Sequence, residues 1–367
     1  MGKKQYVYVG TYSLPIKFGT GEILEGKGKG IYLYEFDPDS AQLKPVNVTE
    51  NIDNPSFLAI NAEAATLYAV NELKEYDGEA TGAVSAFHIR EDGTLVLINK
   101  LASGGTDPCH AALSPDGRHL IVCNYMSGSV SVYPVLEGGG LGLQEQFLQY
   151  EGKGINPNRQ EGPHAHSATF SRDGRFVLIC DLGTDRVRTY RYSDTGLPLI
   201  DEGAEFIADA GAGPRHIDFG VDGRYCYITN EMDSAVSVAA FDGDTGKLTE
   251  IQKIPSVPKG AEHGNNSCAD IHITPDGKFL YASNRGMDSI AIYRIDQASG
   301  LLSSVDYQPC GGRTPRSFSL DLSGGFLLCA NQDTDNIAVF SLDRETGRLK
   351  KESEAYAPTP VFVKPFR

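Results

Sequence analysis

The chain has 367 residues, of which 40% are hydrophobic and 22% are charged. This composition supports a large buried core and excludes a disordered protein. With 33 basic and 48 acidic residues, the net charge is −15, which argues against nucleic acid and anionic membrane surfaces as partners.

The first residues enter a strand pattern directly. MGKKQYVYVG lacks the apolar segment and cleavage site of a signal peptide, and no later stretch is apolar enough for a membrane span. The seven cysteines show no CxxC spacing. We therefore expect a cytoplasmic protein in a reducing compartment, with its cysteines as buried thiols and no zinc or redox motif.

A short strand-rich segment recurs seven times along the chain. Its copies are GIYLYEFD at 30–37, GAVSAFHI at 82–89, GSVSVYPV at 128–135, DRVRTYRY at 185–192, SAVSVAAF at 234–241, DSIAIYRI at 288–295 and DNIAVFSL at 335–342. A period of about fifty residues is typical of propellers and solenoids. Because the repeats contain strands and turns without helical periodicity, we predict an all-β, seven-bladed β-propeller of four-stranded antiparallel blades, forming one domain over residues 1–367.

The turns of each repeat predict which face of the disc carries function. A first strand ends in a tight turn such as 114–117, and the third strand ends in another, such as 242–246. Because antiparallel strands alternate in direction, both turns lie on one face. The opposite face receives the long insertions at 13–29, 151–162 and 255–267, and we expect the functional site there.

The two ends of the chain are predicted to share one blade. QYVYVGTY near the N-terminus has the pattern of a second strand without a first, and PTPVFVKPF near the C-terminus has the pattern of a first strand without a second. Their pairing would close the ring without an exposed sheet edge.

A sixteen-residue spacing links the start of each first strand to the end of the second. It separates Pro55 from Asn71, Pro108 from Asn124, Ala165 from Asp181, Pro214 from Asn230, Cys268 from Asn284 and Pro315 from Asn331. Because Asn or Asp is common to these six repeats, we interpret it as structural, with its side chain bonding loop backbone.

The neighbouring positions differ between repeats and carry ionisable residues. Behind the common Asn or Asp stand Glu72, Tyr125, Leu182, Glu231, Arg285 and Gln332, and beside the Pro position stand Ser56, Cys109-His110, the run from Pro163 to His166, Arg215-His216, Asp270 and Arg316. One channel mouth thus gathers cations in an acidic protein, which predicts an anion site. The alternatives are a plain Arg215–Glu231 ion pair across the hairpin and histidines that only satisfy loop backbone.

Several motifs resemble those of the seven-bladed propeller lactonases, a family that includes bacterial 6-phosphogluconolactonases and fungal carboxy-cis,cis-muconate cyclases. These motifs are GPHAHS, GPRHIDF, NEMDSAV, ASNRGMDSIAIY and TPRSFSLD, and the resemblance extends from VYVGTY to PTPVFVKPF. In the muconate cyclases the active site is attributed to one histidine, two arginines and one glutamate. By motif position, the resemblance implies the catalytic residues His164 or His166, Arg215, Glu231 and Arg285.

The resemblance implies a hydrolase of the pentose phosphate pathway that opens an anionic sugar lactone, with 6-phosphogluconolactone as the expected substrate. Lactone opening needs an activated water, a stabilised oxyanion and a proton for the leaving alkoxide. We expect Glu231 or His166 to be the base, and Arg215 and His164 to stabilise the oxyanion.

The expected substrate-binding residues extend this set. Arg285, with Arg316, Lys153 and Arg159, is expected to hold a phosphate or carboxylate through charge-assisted bonds. The set also includes His216 and Asn230. No cofactor and no metal are expected, because the acidic turns lack the ligand pattern of a calcium loop.

Two other functions are compatible with the sequence. One is a muconate-type lactonising enzyme that acts on a dicarboxylate, and the other is a non-enzymatic propeller that binds a protein partner. A binding platform predicts a flat apolar patch on the insertion face, whereas an enzyme predicts a concave charged pocket there.

Overall fold

The computed structural model describes residues 4–18, 21–260 and 266–366. Within these ranges, the strands form seven four-stranded antiparallel sheets and one two-stranded hairpin, which confirms the predicted seven-bladed propeller. Residues 19–20 of the first predicted insertion and 261–265 of the third lie outside the described residues.

The strands are short and follow one another with little other secondary structure. The first ten are β1 (Gln5–Thr11), β2 (Ile16–Lys17), β3 (Ile23–Leu24), β4 (Gly30–Asp37), β5 (Gln42–Glu50), β6 (Pro55–Asn61), β7 (Thr66–Asn71), β8 (Ala83–Ile89), β9 (Leu95–Ala102) and β10 (Pro108–Leu113). The next ten are β11 (His119–Asn124), β12 (Ser129–Pro134), β13 (Gln146–Gln149), β14 (Ala165–Phe170), β15 (Phe176–Asp181), β16 (Arg186–Tyr192), β17 (Leu199–Ile207), β18 (Pro214–Phe219), β19 (Tyr225–Asn230) and β20 (Ala235–Phe241). The last ten are β21 (Leu248–Pro255), β22 (Ser267–Ile273), β23 (Phe279–Arg285), β24 (Ser289–Ile295), β25 (Leu302–Pro309), β26 (Pro315–Leu320), β27 (Phe326–Asn331), β28 (Asn336–Leu342), β29 (Leu349–Tyr356) and β30 (Pro360–Phe366). Two single-turn 3₁₀ helices span Leu182–Thr184 and Gln332–Thr334.

Blade 1 is built from both ends of the chain, as predicted. Its strand order from the axis outward is β30, β1, β4 and β5, and Val9 of β1 pairs with Val363 of β30. Blades 2 to 7 each take four consecutive strands, from β6–β9 to β26–β29, with the first strand innermost. β2 and β3 form a separate hairpin within the first insertion.

Neighbouring blades bury their apolar faces against each other. Phe176 and Leu178 of β15, for example, lie in one cluster with Phe219 and Cys226 of the next blade. Each large apolar side chain that is buried in this way contributes about 1.5–3 kcal/mol. Buried tyrosines on second strands add a recurrent bond to the next blade, in which the hydroxyl donates to a glycine carbonyl of a tight turn. These bonds join Tyr8 to Gly93 (2.8 Å), Tyr227 to Gly300 (3.0 Å) and Tyr281 to Gly347 (2.7 Å).

The common Asn at the end of second strands has the structural role that the spacing predicts. The paired residues at the sixteen-residue spacing face each other in all six hairpins. Asn71 Nδ2 donates to the carbonyl of Asp53 at 2.7 Å, and Asn284 Nδ2 donates to that of Ser256 at 2.7 Å. Asn124 and Asn331 make the same kind of bond to Ser103 and Cys310, so in four blades this side chain ties the entering loop to the second strand.

All seven cysteines are buried and free of disulfides, as expected from their positions. The described part of the chain contains no helix with the length and hydropathy that a membrane crossing requires.

Removal of residues 358–367 should abolish folding, because it deletes β30 and leaves β1 without its inner neighbour. We expect the truncated chain to lack a cooperative thermal transition in circular dichroism. A graded pair of variants checks the same point: Val363→Ala, at a buried site, should lower the free energy of unfolding by about 1–3 kcal/mol, and Val46→Ala, at a half-exposed site, by less than about 0.5 kcal/mol. Cooperative melting of the truncated chain near the wild-type temperature would contradict the closure.

Candidate active site

Every innermost strand carries a β-bulge near its start. On β14, Ala165 pairs with Asp181 and Ser167 pairs with Cys180, so His166 is the extra residue. A bulge re-aims its extra side chain relative to the regular alternation of the strand. The seven bulges hold Ser56, Cys109, His166, Arg215, the pair Ala269-Asp270, Arg316 and Val361. The bulges therefore form a ring of variable side chains around the channel.

A cavity of about 590 Å³ opens on the face that carries the insertions. It is concave and charged, as an enzyme predicts and a flat binding platform does not. Its lining includes the bulge residues Cys109, His166 and Arg316, the residues that follow second strands or end them, Glu72, Tyr125, Glu231, Arg285 and Gln332, and the hairpin residues Ile16, Lys17, Phe18 and Leu24.

Aromatic and imidazole rings close the channel beneath this cavity. The ring centroid of Phe57 lies 4.0 Å from that of His110 and 4.1 Å from that of Phe362. The ring of His216 lies 5.5 Å from His110 and 5.2 Å from His166. The space left at this level measures only about 10 Å³, so a ligand enters from the insertion face.

Three guanidinium groups converge on the carboxylate of Glu231, and we call this set the arginine cluster. Glu231 Oε1 accepts from Arg159 Nη2 at 2.5 Å. Its Oε2 accepts from Arg215 Nε at 2.9 Å and lies 2.8 Å from Arg285 Nη2. The three arginines come from the 151–162 insertion, from β18 and from β23, so the propeller brings distant segments together at one carboxylate.

The ion pairs decide the protonation of this carboxylate. Burial alone would raise the pKa of Glu231, but the charges of Arg285, Arg159 and Arg215 hold that pKa well below its ordinary value. Burial, followed by repulsion from Arg285, lowers the pKa of Arg215 to about 10. At neutral pH the carboxylate is therefore ionised, and Glu231 is a weak proton acceptor.

His166 faces the cavity from the bulge of β14. Its Nδ1 is buried and has no hydrogen-bond partner among the described atoms. Its ring stands edge-on to Tyr125, with centroids 5.6 Å apart. Burial, followed by the charge of Arg215, keeps the pKa of His166 well below its ordinary value, so the imidazole is neutral. A neutral imidazole can accept a proton from a water in the cavity.

Glu72 occupies the opposite side of the cavity in a different environment. Its Oε2 accepts a hydrogen bond from the Tyr12 hydroxyl at 3.0 Å, and its Oε1 lies 3.9 Å from Arg316 Nη2. The Arg316 guanidinium also lies over the Tyr12 ring, 5.5 Å from the centroid. Burial raises the pKa of Glu72, because the charge of Arg316 only partly offsets it.

His164, which was expected to be catalytic, is not among the residues that line the cavity. Its Nδ1 lies 3.0 Å from the Tyr125 carbonyl oxygen, and its Nε2 lies 3.4 Å from Glu161 Oε1. Its ring stacks on Tyr125 with centroids 4.4 Å apart. In this structure His164 therefore contacts the surrounding loops.

His216, which was expected to bind substrate, lies beneath the cavity beside Arg215 and is not part of its lining. Its Nε2 lies 3.2 Å from Arg215 Nη1 and its Nδ1 lies 2.9 Å from Asp270 Oδ1. Because a guanidinium only donates, Nε2 accepts and Nδ1 donates to the carboxylate. Burial, followed by the charge of Arg215, lowers the pKa of His216 to about 4, in agreement with a neutral ring.

Two further residues that were expected to bind substrate lie outside the cavity lining. Asn230 is fully buried in its blade, where its Nδ2 donates to Ser237 Oγ at 3.0 Å. Lys153 is exposed on the insertion and is not part of the cavity lining. The other predicted residues meet at the cavity: His166, Arg159, Glu231, Arg285 and Arg316 line it, and Arg215 lies directly beneath.

Sequence reasoning assigned no role to Glu72 or Tyr12, although both lie at the cavity. A signal for Glu72 was present, because the Asn-Glu pair of 71–72 repeats the pair of 230–231 at the same place in the blade. The choice between His164 and His166 depended on the bulge, which the sixteen-residue spacing alone does not reveal.

Comparisons with known proteins agree with this architecture. A family model described as "Lactonase, 7-bladed beta-propeller" matches residues 6–365. The chain is 35% identical over 315 residues to 6-phosphogluconolactonase of Bacillus subtilis, covering 86% of this chain and 84% of the relative. It is 36% identical over 302 residues to 6-phosphogluconolactonase of Formosa agariphila, covering 81% and 84%. The solved structure of the periplasmic gluconolactonase of Pseudomonas aeruginosa matches with a TM-score of 0.89 at 31% identity, covering 100% of this chain and 99% of that one.

Glu231→Gln should destabilise the protein by about 3–5 kcal/mol, because it leaves three guanidinium groups without their counter-charge. Glu50→Gln, which breaks an exposed ion pair with Lys29, should cost less than about 1 kcal/mol. The pKa of Glu231 is depressed in the folded state, so its contribution is present above about pH 4.5 and is lost as the pH falls further. Denaturant titrations at pH 7 and pH 3.5 should therefore show the Glu231→Gln deficit shrinking in acid. Equal deficits for the two variants at pH 7 would contradict the account of the arginine cluster.

Proposed function

This chain belongs to the family of seven-bladed β-propeller lactonases, and we propose that the sugar lactone it hydrolyses is 6-phosphogluconolactone, which it converts to 6-phosphogluconate. The enzyme is a hydrolase that opens a cyclic ester with water. Its family is established by sequence over nearly the whole chain. The phosphorylated substrate is inferred from the guanidinium groups at the channel end of the cavity.

The concentration of guanidinium groups at the channel end of the cavity is the observation that carries this proposal. Four of them lie there with the carboxylates of Glu72 and Glu231: those of Arg159, Arg215, Arg285 and Arg316. The positive charge is local to this end, because Glu22, Asp107 and Asp333 also line the cavity. Like charges held close together in a poorly solvated site repel, unless an anion joins them. A phosphate ester would join these guanidinium groups, and the cavity volume lies in the range of small-molecule sites.

We assign the activation of water to His166. Its imidazole is neutral and lines the cavity, so it can take a proton from a water that attacks the lactone carbonyl. The negative charge of a bound substrate would raise the pKa of His166 and strengthen it as a base. Glu231 is the weaker candidate, because three guanidinium groups already occupy its oxygens.

Arg159 and Arg285 are assigned to the lactone carbonyl. Both line the cavity beside Glu231. Their positive charges would stabilise a carbonyl oxygen that gains negative charge in the tetrahedral intermediate. Arg215 is bonded to Glu231, to His216 and to the carbonyl of Ala269, so its role is to hold the arginine cluster in place.

The phosphate is assigned to the side of the cavity that Arg316 lines. Its guanidinium has a long ion pair to Glu72 and lies over the rings of Tyr12 and Phe18, and Lys17 of the β2–β3 hairpin lines the same cavity. Charge-assisted bonds from these two cations would bind a phosphate and leave the lactone ring between it and the arginine cluster.

We propose the cytoplasm as the compartment of the enzyme. The supporting observation is that all seven cysteines are free, which is typical of a reducing environment.

A panel of lactones tests the function. The wild type should accelerate the opening of 6-phosphogluconolactone above the enzyme-free rate, with a KM lower than that for unphosphorylated glucono-δ-lactone and with no action on a muconolactone. Arg316→Ala and Lys17→Ala should each raise the KM for the phosphorylated substrate at least about tenfold, because each removes a charge-assisted bond, and should change the KM for the neutral lactone little.

The panel also shows how the proposal fails. Equal KM increases for both lactones in Arg316→Ala and Lys17→Ala would remove the phosphate assignment. A wild-type rate equal to the enzyme-free rate for every sugar lactone, or turnover of the muconolactone alone, would refute the substrate class.

A further inference from the structure

Two glutamates occupy the same place in two blades that face each other across the channel. Glu72 follows β7 of blade 2 and Glu231 follows β19 of blade 5, each directly after the Asn that ends a second strand. Two blades lie between them on one side of the ring and three on the other, so they stand on nearly opposite sides of the axis. Both side chains line the same cavity.

The two carboxylates differ in what neutralises them. Glu231 is bound by three guanidinium groups at 2.5–2.9 Å. Glu72 has one guanidinium, that of Arg316, at 3.9 Å, and one neutral donor, the Tyr12 hydroxyl, at 3.0 Å. One glutamate therefore has its charge fully compensated, while the other is buried with a weakly compensated charge.

The groups around Glu72 have opposing effects on its pKa. Arg316 on β26 and the hydroxyls of Tyr12 and Ser56 favour its ionised form, whereas burial and the charge of Asp107 disfavour it. Asp107 is itself paired with Lys74 at 2.7 Å, which weakens its effect. The net result is that the pKa of Glu72 is raised while that of Glu231 is lowered. Carboxyl groups in one site whose pKa values are driven apart are suited to different tasks.

We propose that Glu72 is the general acid of the reaction and delivers a proton to the ring oxygen of the lactone as the ester bond breaks. This inference rests on the proposed function. Glu72 stands beside Arg316, at the end of the cavity assigned to the phosphate. In a 6-phospho-δ-lactone the ring oxygen is bonded to the carbon that carries the phosphorylated arm, so this oxygen lies toward the same end. A phosphate bound nearby would raise the pKa of Glu72 further and keep the acid protonated.

The hydrolysis proceeds through a tetrahedral intermediate. Water oxygen forms a bond to the carbonyl carbon and gives one proton to His166, and the carbonyl oxygen becomes an oxyanion beside Arg159 and Arg285. The oxyanion reforms the carbonyl, the bond between the carbonyl carbon and the ring oxygen breaks, and Glu72 gives its proton to the departing oxygen. The product is a hydroxy acid. Transfer of the proton from His166 to Glu72 through solvent restores both groups.

The leaving group provides a direct test of this role. An alkoxide needs a proton as it departs, whereas a thiolate is far less basic, with a thiol pKa near 8.5. We therefore compare 6-phosphogluconolactone with the phosphorylated thiolactone in which sulfur replaces the ring oxygen. Glu72→Gln should lower kcat for the oxygen lactone by about 10²-fold or more, and kcat for the thiolactone by less than about fivefold. Equal losses on the two substrates would refute the assignment.

A second variant covers the case in which Glu72→Gln folds poorly. Tyr12→Phe keeps the carboxyl group and removes a hydrogen bond that favours its ionised form, so the pKa of Glu72 should rise. Because an acid must be protonated to act, the alkaline limb of the kcat profile should move to higher pH in Tyr12→Phe. A limb that does not move would contradict the proposal.

The two hypotheses fail in different ways. If the wild type does not open either lactone faster than buffer alone, the proposed function is wrong. If the wild type opens both lactones and Glu72→Gln shows no dependence on the leaving group, only the role of Glu72 is wrong.

Discussion

Closure of the ring is the constraint on which the rest of this structure depends. A blade has two apolar faces and can bury them only against its neighbours, and blade 1 exists only because β30 joins β1 from the far end of the chain. Once the ring closes, seven innermost strands begin around one axis. Residues as distant in sequence as Glu72, His166 and Arg316 then line one cavity.

The β-bulges place variable side chains at the channel and so create the candidate site. The repeated Asn and Pro positions serve every blade alike, whereas the bulge residue is free to differ because its side chain points toward the channel and away from the blade interior. The cluster at Glu231 shows the energetic consequence. Several charges are buried together there, and burying charges costs stability. We therefore interpret the cluster as a feature that serves function.

The sequence predicted the architecture and the membership of the cavity better than the orientation of single side chains. The spacing of the repeats contains the strand pairing, so the partners Pro214 and Asn230 could be read from it directly. His164 and His166 lie two residues apart, and only the bulge decides which of them faces the channel. Lys153 shares an insertion with Arg159, but the path of that loop places one side chain in solvent and the other on Glu231. Such choices depend on loop geometry and on burial, for which a single sequence carries no periodic signal.

The central claim is that this cavity holds an anionic sugar acid between the arginine cluster and Arg316. A crystal structure of the enzyme with bound 6-phosphogluconate, the proposed product, tests it most directly. The account predicts the new carboxylate on Arg159 and Arg285 beside His166, and the phosphate on Arg316 and Lys17. A product molecule bound outside this cavity, or bound in it without contact to these arginines, would contradict the account.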